Sequence, residues 1–351
     1  MVNLKRANER KRGLEVIIDK IKIAGPMTQT ELKEESNLLG STASYLVNDL
    51  RNIGLLVDSG ELIHRNGPGK PAAVLKLNSE LASFIGIYLE DYSLHMYVTG
   101  LDGGVMETTT VPIDHFKEIE KVMIRSIKQT VSEYPNIRGI GIAVKGIVYN
   151  DGTIKFGYRS SIREENWKLH GLQKAVESAF PDIHVVIEND ANCTAVLYQY
   201  KQRRKDMNLI LYLLNIAPFG IGCSILQEGN LYRGSSGSAG QYFEKSSYFS
   251  RNEDLKNRDQ EEIEHCIHEI MSHVRMSGFL LDPEQIILSG SIFDDIGEER
   301  LEKLDRLIED YKLPFKVSMT RGNKEFNPAC GAALISTDHY ISRMIDKVGV
   351  R

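Results

Sequence analysis

The sequence predicts an α/β protein that carries a small helical head. Three observations lead there. From residue 84 onward, apolar strands are mixed with amphipathic helices, the combination that builds α/β architecture. A three-strand opening followed by a helix recurs after residue 208, which indicates two related lobes. Ahead of residue 80, a long helix is followed by two short helices joined by a tight turn, the helix-turn-helix pattern. The domain boundary is accordingly placed at 79/80, with a DNA-binding head and linker in 1–79 and a two-lobed body in 80–351.

Composition sets the outer bounds. A chain of 351 residues has room for two or three domains at roughly 100–200 residues each. With 42% hydrophobic and 26% charged residues, general disorder is excluded. No apolar run reaches the ~18 residues of a membrane span, and the charged opening MVNLKRANERKRG lacks the apolar stretch of a secretion signal. Cys193, Cys223, Cys266 and Cys330 lie far apart, which argues against a disulfide framework or a cysteine-rich zinc site and for a reduced cytoplasm. The net charge of −5 hides an asymmetry, with +3 in residues 1–79 and −8 in the remainder. A basic head on an acidic body suggests a nucleic-acid contact confined to the head.

The head reads element by element. Leu14, Ile17, Ile18 and Ile21 form one helical stripe, and Gly25-Pro26 ends that helix. Thr28 with Glu31 makes a capping box for a short second helix. Ser41 or Thr42 opens a third, STASYLVNDLRNIG. Leu55-Leu56-Val57 and Glu61-Leu62-Ile63-His64 read as strands around an Asp58-Ser59-Gly60 turn. Three helices and a hairpin make a winged helix-turn-helix. In that arrangement Thr28, Gln29, Ser41, Thr42, Ser44, Tyr45 and Asn48 face bases or phosphates. Arg51, Arg65 and Lys70 neutralise phosphates or probe the minor groove. The basic run Lys5, Arg6, Arg10, Lys11, Arg12 contacts phosphates or forms a solvated helix face.

In the body, residues 84–113 read as three strands with turns at Glu90-Asp91 and Asp102-Gly103-Gly104. A helix follows, then the strand–glycine turn–hairpin IRGIGIAVKGIVYNDGTIKF, a helix around 168–180, the strand HVVIEND and the helix ANCTAVLYQYK. Two more strands cover LILYLLNIAPFGIGCSILQEGNLYRG. A long helix, the strand QIILSG, further helices, the strand FKVSMT and a last helix complete the chain.

These residues carry a resemblance. IGIAVKGIVYNDGTI, VVIENDANCTA, FGIGCSILQEGNLYRGSSGSAGQ, IILSGSI and ACGAAL, in that order, resemble the motifs of the ROK family (repressors, open reading frames and kinases). NGPGKPAAVLKLN is similar to the Gly-Gly-Arg-Pro linker of its winged-helix members, the xylose-type and N-acetylglucosamine-type repressors, with Lys70 in place of arginine. The resemblance implies a two-lobed, actin-like (ribonuclease H-like) sugar-kinase fold with a cleft between the lobes. It also implies roles within that cleft. Asp190 matches the family's catalytic base, where it contacts a sugar hydroxyl beside Asn189; Asp190 as a simple helix cap is the alternative, and both can hold. Gln241 stands for the sugar-contacting glutamate of Ala-Gly-Glu, Glu244 stands where the family has a histidine that contacts the sugar and also binds zinc, and Asn166 before Trp167 matches a sugar-contacting asparagine. The cysteines of the family's zinc site are missing, and His265, His268 and His273 read as a solvated helix face, so no metal is expected.

Sugar kinases of this fold bring a glycine turn, Asp-x-Gly-x-Thr, against the nucleotide phosphates. Here that turn reads Glu90-Asp91-Tyr92, whose side chains block close backbone approach and whose carboxylates repel a triphosphate. In the second glycine loop Gly220 and Gly222 remain, but Pro218-Phe219 replaces small residues and removes an N–H donor. The expectation is a sugar-controlled transcriptional regulator with no enzymatic activity and no cofactor. It would act as a homodimer or dimer of dimers on operator DNA, away from membranes. A sugar kinase with an attached head, and a DNA-binding scaffold whose cleft is vestigial, are the alternatives. Lys145, where the family has proline, puts a charge beside the cleft that favours an acidic or phosphorylated ligand, or is simply exposed.

Overall fold

In a computed structural model, residues 2–63, 71–90, 93–155, 168–169, 171–216, 219–241, 260–294 and 296–349 are described. Helix α1 (Val2–Ala24) begins the head. Its stripe Leu14, Ile17, Ile18 and Ile21 is buried. Each such side chain contributes about 1.5–3 kcal/mol on burial. Gly25, at φ +88°, ends the helix in the left-handed region, and its N–H bonds to the Ile21 carbonyl. Helix α2 (Gln29–Ser36) starts on the expected capping box, in which the Thr28 hydroxyl accepts from the Glu31 N–H and the Glu31 carboxylate accepts from the Thr28 N–H. Helix α3 (Gly40–Asn52) starts one residue before Ser41, and Leu39 at its N-cap supplies no side-chain hydrogen bond.

The strands of the head differ from expectation. Asp58-Ser59-Gly60 is not a hairpin turn. Strand β2 (Leu56–Ile63) runs through it with a register irregularity between Asp58 and Leu62, accommodated by Gly60 at φ +87°. Its partner is β3 (Ala72–Leu77), which the sequence reading assigned to a linker, and β1 (Met27–Thr28) closes a sheet of order β1-β3-β2.

The body holds two five-stranded sheets of the same topology. Lobe one contains β4 (Ser83–Glu90), β5 (Ser93–Gly100), β6 (Val105–Pro112), β7 (Ile137–Val144) and β11 (His184–Asn189), ordered β11-β7-β4-β5-β6. Lobe two contains β12 (Leu209–Ile216), β13 (Phe219–Gln227), β14 (Asn230–Leu231), β15 (Gln285–Ser289) and β16 (Lys316–Met319), ordered β14-β13-β12-β15-β16. In each, an antiparallel meander of three strands is extended by two parallel ones. A small sheet of β8 (Ile147–Val148), β9 (Ile154–Lys155) and β10 (Lys168–Leu169) stands beside lobe one.

Strand periodicity decides which helices cover which face. The odd residues Ile85, Ile87 and Leu89 of β4 pack with α4 (Ile119–Glu133) and α5 (Leu172–Ala179). The even residue Tyr88 packs toward α6 (Asp190–Lys201) and α9 (Pro328–Gly349). Lobe two repeats the pattern: Ile210, Tyr212 and Leu214 face α7 (Gln260–Leu281) and α8 (Glu298–Glu309), while Leu209, Leu211 and Leu213 face α6. Helices α6 and α9 pack against each other between the sheets, α6 chiefly on lobe two and α9 chiefly on lobe one. Two glycines make this possible. A Cβ on Gly141 would sit 2.0 Å from the Ala332 carbonyl oxygen, and one on Gly331 would sit 1.9 Å from that of Cys193. Both belong to the glycine motifs noted above, and both serve close packing of α9.

Head and body share one core. Leu14, Ile17, Ile18 and Ile21 join a cluster that includes Phe84, Leu101, Ala333, Ile341 and Ile345. The head therefore docks on α9 through α1 rather than hanging on a free linker. Among the described residues, no helix is long and apolar enough to cross a membrane.

Candidate functional site

The site forms where the C-terminal ends of β4, β7 and β11 meet the start of α6. Strand β11 runs directly into α6, so the local sequence Glu188-Asn189-Asp190 must turn a strand into a helix. Asn189 does this: its Oδ1 accepts from the N–H groups of Ala191 (2.9 Å) and Asn192 (3.2 Å). Its Nδ2 donates to the Gly146 carbonyl at 2.8 Å and to Asp190 Oδ1 at 3.1 Å. Both ends of this amide are therefore engaged within the protein, and Asn189 holds the strand-to-helix turn that presents Asp190. The helix cap considered for Asp190 belongs to Asn189.

Asp190 opens α6 and is 5% exposed. Its Oδ1 also accepts from the Ala191 N–H at 2.9 Å, and the Tyr88 hydroxyl donates to Oδ2 at 3.5 Å. Burial pushes its carboxyl up to about 6, against the pull of Lys145 and the Ala191 N–H and with a further push from Glu90. It can therefore accept a hydrogen bond when ionised and donate one when protonated, near neutral pH.

Beside Asp190 lies a chain of polar groups. Glu90, the last residue of β4, has Oε1 3.5 Å from Lys145 Nζ and Oε2 3.2 Å from His95 Nε2. Burial works to raise the Glu90 carboxyl, but His95 and Lys145 outweigh it and hold the group below its ordinary value. The His95 ring lies 6.2 Å from that of Tyr88. Lys145 is thus mostly enclosed and paired with a carboxylate, which corrects its reading as a simply exposed residue.

A second network crosses from lobe one to lobe two. Glu188 Oε1 accepts from the Asn189 N–H (2.8 Å) and Asn192 Nδ2 (2.9 Å), while Oε2 accepts from Arg233 Nε at 2.6 Å. Arg233 begins the loop that ends at Gln241. Asn150 holds the same loop, donating from Nδ2 to the Ser235 carbonyl at 2.9 Å and from its N–H to that of Ser236 at 3.2 Å. The loop places Gln241 half-buried, its N–H on the Ser238 carbonyl. Gly220 and Gly222 lie within strand β13, paired with Asn215 and Leu213. A Cβ on Gly222 would meet the Ala191 Cβ at 2.8 Å, so this glycine admits the start of α6.

Of the residues assigned to the cleft, Asp190 opens α6 beside Tyr88, Glu90 and Lys145, and Gln241 lies in the segment that follows Arg233. Asn166, Glu244, Asp91, Tyr92, Trp167 and Pro218 lie outside the described residues. In the head, Ser41, Thr42, Ser44, Tyr45 and Asn48 are all exposed along α3, and Gln29 is half-buried at the start of α2. Thr28 is fully buried by its capping role and cannot reach a partner surface, which corrects its assignment. Arg51 pairs with Asp58 on β2, and Arg65 and Lys70 lie outside the described residues. Arg10 bonds Asp49 at 2.8 Å and Lys11 bonds Asp346 at 2.6 Å, so these two basic residues tie α1 to α3 and α9.

The sequence reading missed Tyr88, His95, Glu188 and Arg233. Tyr88 was open to a parity argument, since even positions of β4 share the face of Glu90. The pairing of Glu188 with Arg233, 45 residues away, had no local signal. Among the described residues, no group of three or more His, Cys, Asp or Glu side chains is placed to hold a metal ion, and His268 bonds the Tyr311 hydroxyl at 2.6 Å.

Comparison with known proteins agrees with this geometry. The xylose repressor of Bacillus subtilis is 25% identical over 250 residues, 68% of this chain and 60% of that protein. The xylose repressor of Caldicellulosiruptor bescii is 26% identical over 223 residues, 61% of this chain and 53% of that protein. The chain thus matches little more than half the length of these curated relatives. A solved ROK family transcriptional regulator, a homolog of the E. coli MLC protein, superimposes with a TM-score of 0.66 at 16% identity, covering 99% of both chains. A ROK family glucokinase from Streptomyces griseus, solved with glucose and AMPPNP, gives a TM-score of 0.56 at 17% identity over 73% of this chain and 100% of that one. These structural likenesses show the fold. Residues 85–242 match the model of the ROK family.

Proposed function

We propose that this protein is a sugar-controlled, DNA-binding transcriptional repressor. The observation that carries the reading is the pairing of two features in one chain. A three-helix, three-stranded head exposes Ser41, Thr42, Ser44, Tyr45 and Asn48 along a single helix. A ROK body holds Asp190 in its cleft, and the names of its curated relatives point to repression. The head is read as a winged helix-turn-helix whose α3 enters the major groove, with residues 1–79 acting as the DNA-binding unit. A symmetric dimer would present two such heads to a near-palindromic site in the cytoplasm.

The cleft is the sugar-sensing part. Asp190 is the proposed anchor for a sugar hydroxyl and Gln241 a neutral partner, with Asn166 and Glu244 kept as proposed contacts. D-xylose is the first sugar to test, because the relatives are xylose repressors. A sugar acts only as far as it binds two states of the protein unequally.

The same cleft disfavours phosphoryl transfer. A nucleotide's phosphates would meet the Glu90 carboxylate, which is held ionised by His95 and Lys145, at the turn where sugar kinases present glycine N–H groups. On this reading ATP is not a ligand of the cleft. The kinase reading retains one supporting observation, the intact Asp190 in a fold shared with ROK glucokinase. Incubation with a sugar panel, ATP and Mg²⁺ tests it. Phosphorylation abolished by Asp190→Asn would replace the repressor reading with a kinase.

Binding to genomic fragments at two salt concentrations tests the main reading. The expected result is a protected near-palindromic sequence whose affinity falls steeply with salt and changes with D-xylose or another sugar of the panel. Absence of any protected sequence at moderate salt would remove it.

A further inference from the structure

The seam between the lobes has a second side, opposite the cleft, and α1 lies across it. On α1, Asp19 and Lys22 stand one turn apart. Lys22 pairs with Asp338 on α9. Asp19 pairs with Lys205, in the segment between α6 and β12. These two partners belong to different lobes. Asp338 is fixed to lobe one, because α9 is seated on β7 at the Gly141–Ala332 contact. Lys205 is fixed to lobe two. Its neighbour Arg204 bonds Glu284 at 2.8 Å, and its own carbonyl accepts from Gln199 Nε2 at 2.8 Å. Between the two ion pairs lies a cavity of about 300 Å³, lined by α1, by Gln199 and Tyr200 at the end of α6, and by Leu334 and Ile341 of α9.

We infer that Asp19 and Lys22 are positioning residues: they strap the head to both lobes, so that the angle between the lobes sets where the head sits. The inference rests on the repressor reading for its biological use, but its physical content is independent. Helix α6 begins at Asp190 in the cleft and ends beside α1. A twelve-residue helix moves as one rigid element of about 18 Å. A change of lobe angle at the cleft must alter the spacing of Lys205 and Asp338 on the far side. The side chains of Asp19 and Lys22 are 24% and 14% exposed, so both are held close to the surface they grip. The cavity leaves open space between α1 and the lobe-two residues Lys205, Gly229 and Asn230, while the apolar stripe of α1 stays packed with α9.

Hydrogen–deuterium exchange on the full chain tests the strap with no ligand present. In Lys205→Gln and in Asp338→Asn, amides 14–24 should exchange about threefold faster or more, with those of β7 and β12 unchanged. The charge swap Asp19→Lys with Lys205→Asp should restore most of the protection. Unaltered exchange in both single variants would overturn the inference.

A second measurement follows fluorescently labelled operator DNA as D-xylose, or the sugar found by the panel, is titrated. Lys205→Gln should bind the sugar with wild-type affinity by calorimetry and lose about two thirds or more of the sugar's effect on DNA affinity. A full wild-type response in that variant would also overturn the strap. If the wild type itself binds no DNA, the repressor reading fails, and the exchange measurement alone decides the strap.

Discussion

Asp190→Asn should stabilise the protein at neutral pH. Burial disfavours the charged form of Asp190 and pushes its carboxyl from the ordinary 3.8 up to about 6. A group whose folded pKa is raised binds more protons folded than unfolded between the two values. Stability therefore falls as pH climbs through that window, and the full penalty applies above about pH 6. At about 1.4 kcal/mol per unit, two units come to roughly 3 kcal/mol. Asparagine removes the charge and keeps the geometry. Its Oδ1 can still accept from the Ala191 N–H and Asn189 Nδ2, and its Nδ2 can donate to the Tyr88 hydroxyl in place of the bond now received from it. The expected gain is about 1–3 kcal/mol at about pH 7.5, shrinking to nearly nothing by about pH 4. Guanidinium unfolding of both proteins at the two pH values measures it. A variant less stable than wild type at pH 7.5, or a gain that does not change with pH, would refute the assignment of a buried, raised carboxyl. The same substitution should abolish sugar binding, the usual opposition between stability and function at a site.

Arg233→Ala leaves the Glu188 carboxylate, which is 5% exposed, without its cation and should destabilise by about 1–3 kcal/mol; the value is held down because Arg233 is itself half exposed. Adding Glu188→Gln should return part of that loss, and a double variant that loses the sum of the singles would contradict the pairing. Gly141→Val forces a side chain onto the Ala332 carbonyl and should cost more than about 2 kcal/mol, read as a lowered unfolding midpoint or loss of soluble protein. Asp58→Asn releases Arg51 and removes a carboxylate from the proposed DNA-facing side. Operator affinity should rise by up to about 1 kcal/mol, whereas Arg51→Ala should lower it, both by anisotropy titration.

Much of the fold was legible because local signals and tertiary packing agree. Strand β4 is an apolar run and β5 an alternating one, each closed by a polar or glycine turn, and the Thr28–Glu31 box marks α2 at the residue where the structure starts it. The errors share a cause. Gly60 is as suited to a bulge as to a turn, and only the pairing of β2 with β3 along its length decides between them. Asn189 and Asp190 are both good caps by type; which one is used depends on where β11 ends, one residue either way. In the cleft, Asp190 could be picked out from its motif and the charges of Glu90 and Lys145 from theirs, but Tyr88 and His95, and the convergence of all of them, could not. Tyr88, His95 and Lys145 come from separate strands and turns and converge only through the sheet register. The docking of α1 was equally hidden. An apolar stripe shows that a helix is buried on one face, and does not show that α3 and α9 share it.

The placement of Glu90 at the very tip of β4 separates two kinds of tolerance. Gly141 lies in the interior of its strand, where any side chain would push a whole helix aside, so that position can scarcely vary without unmaking the scaffold. Glu90 ends its strand, and its exchange for a smaller residue leaves the sheet beneath it unchanged. Strand ends such as Glu90 can therefore change the chemistry presented above the sheet while the interior packing stays as it is.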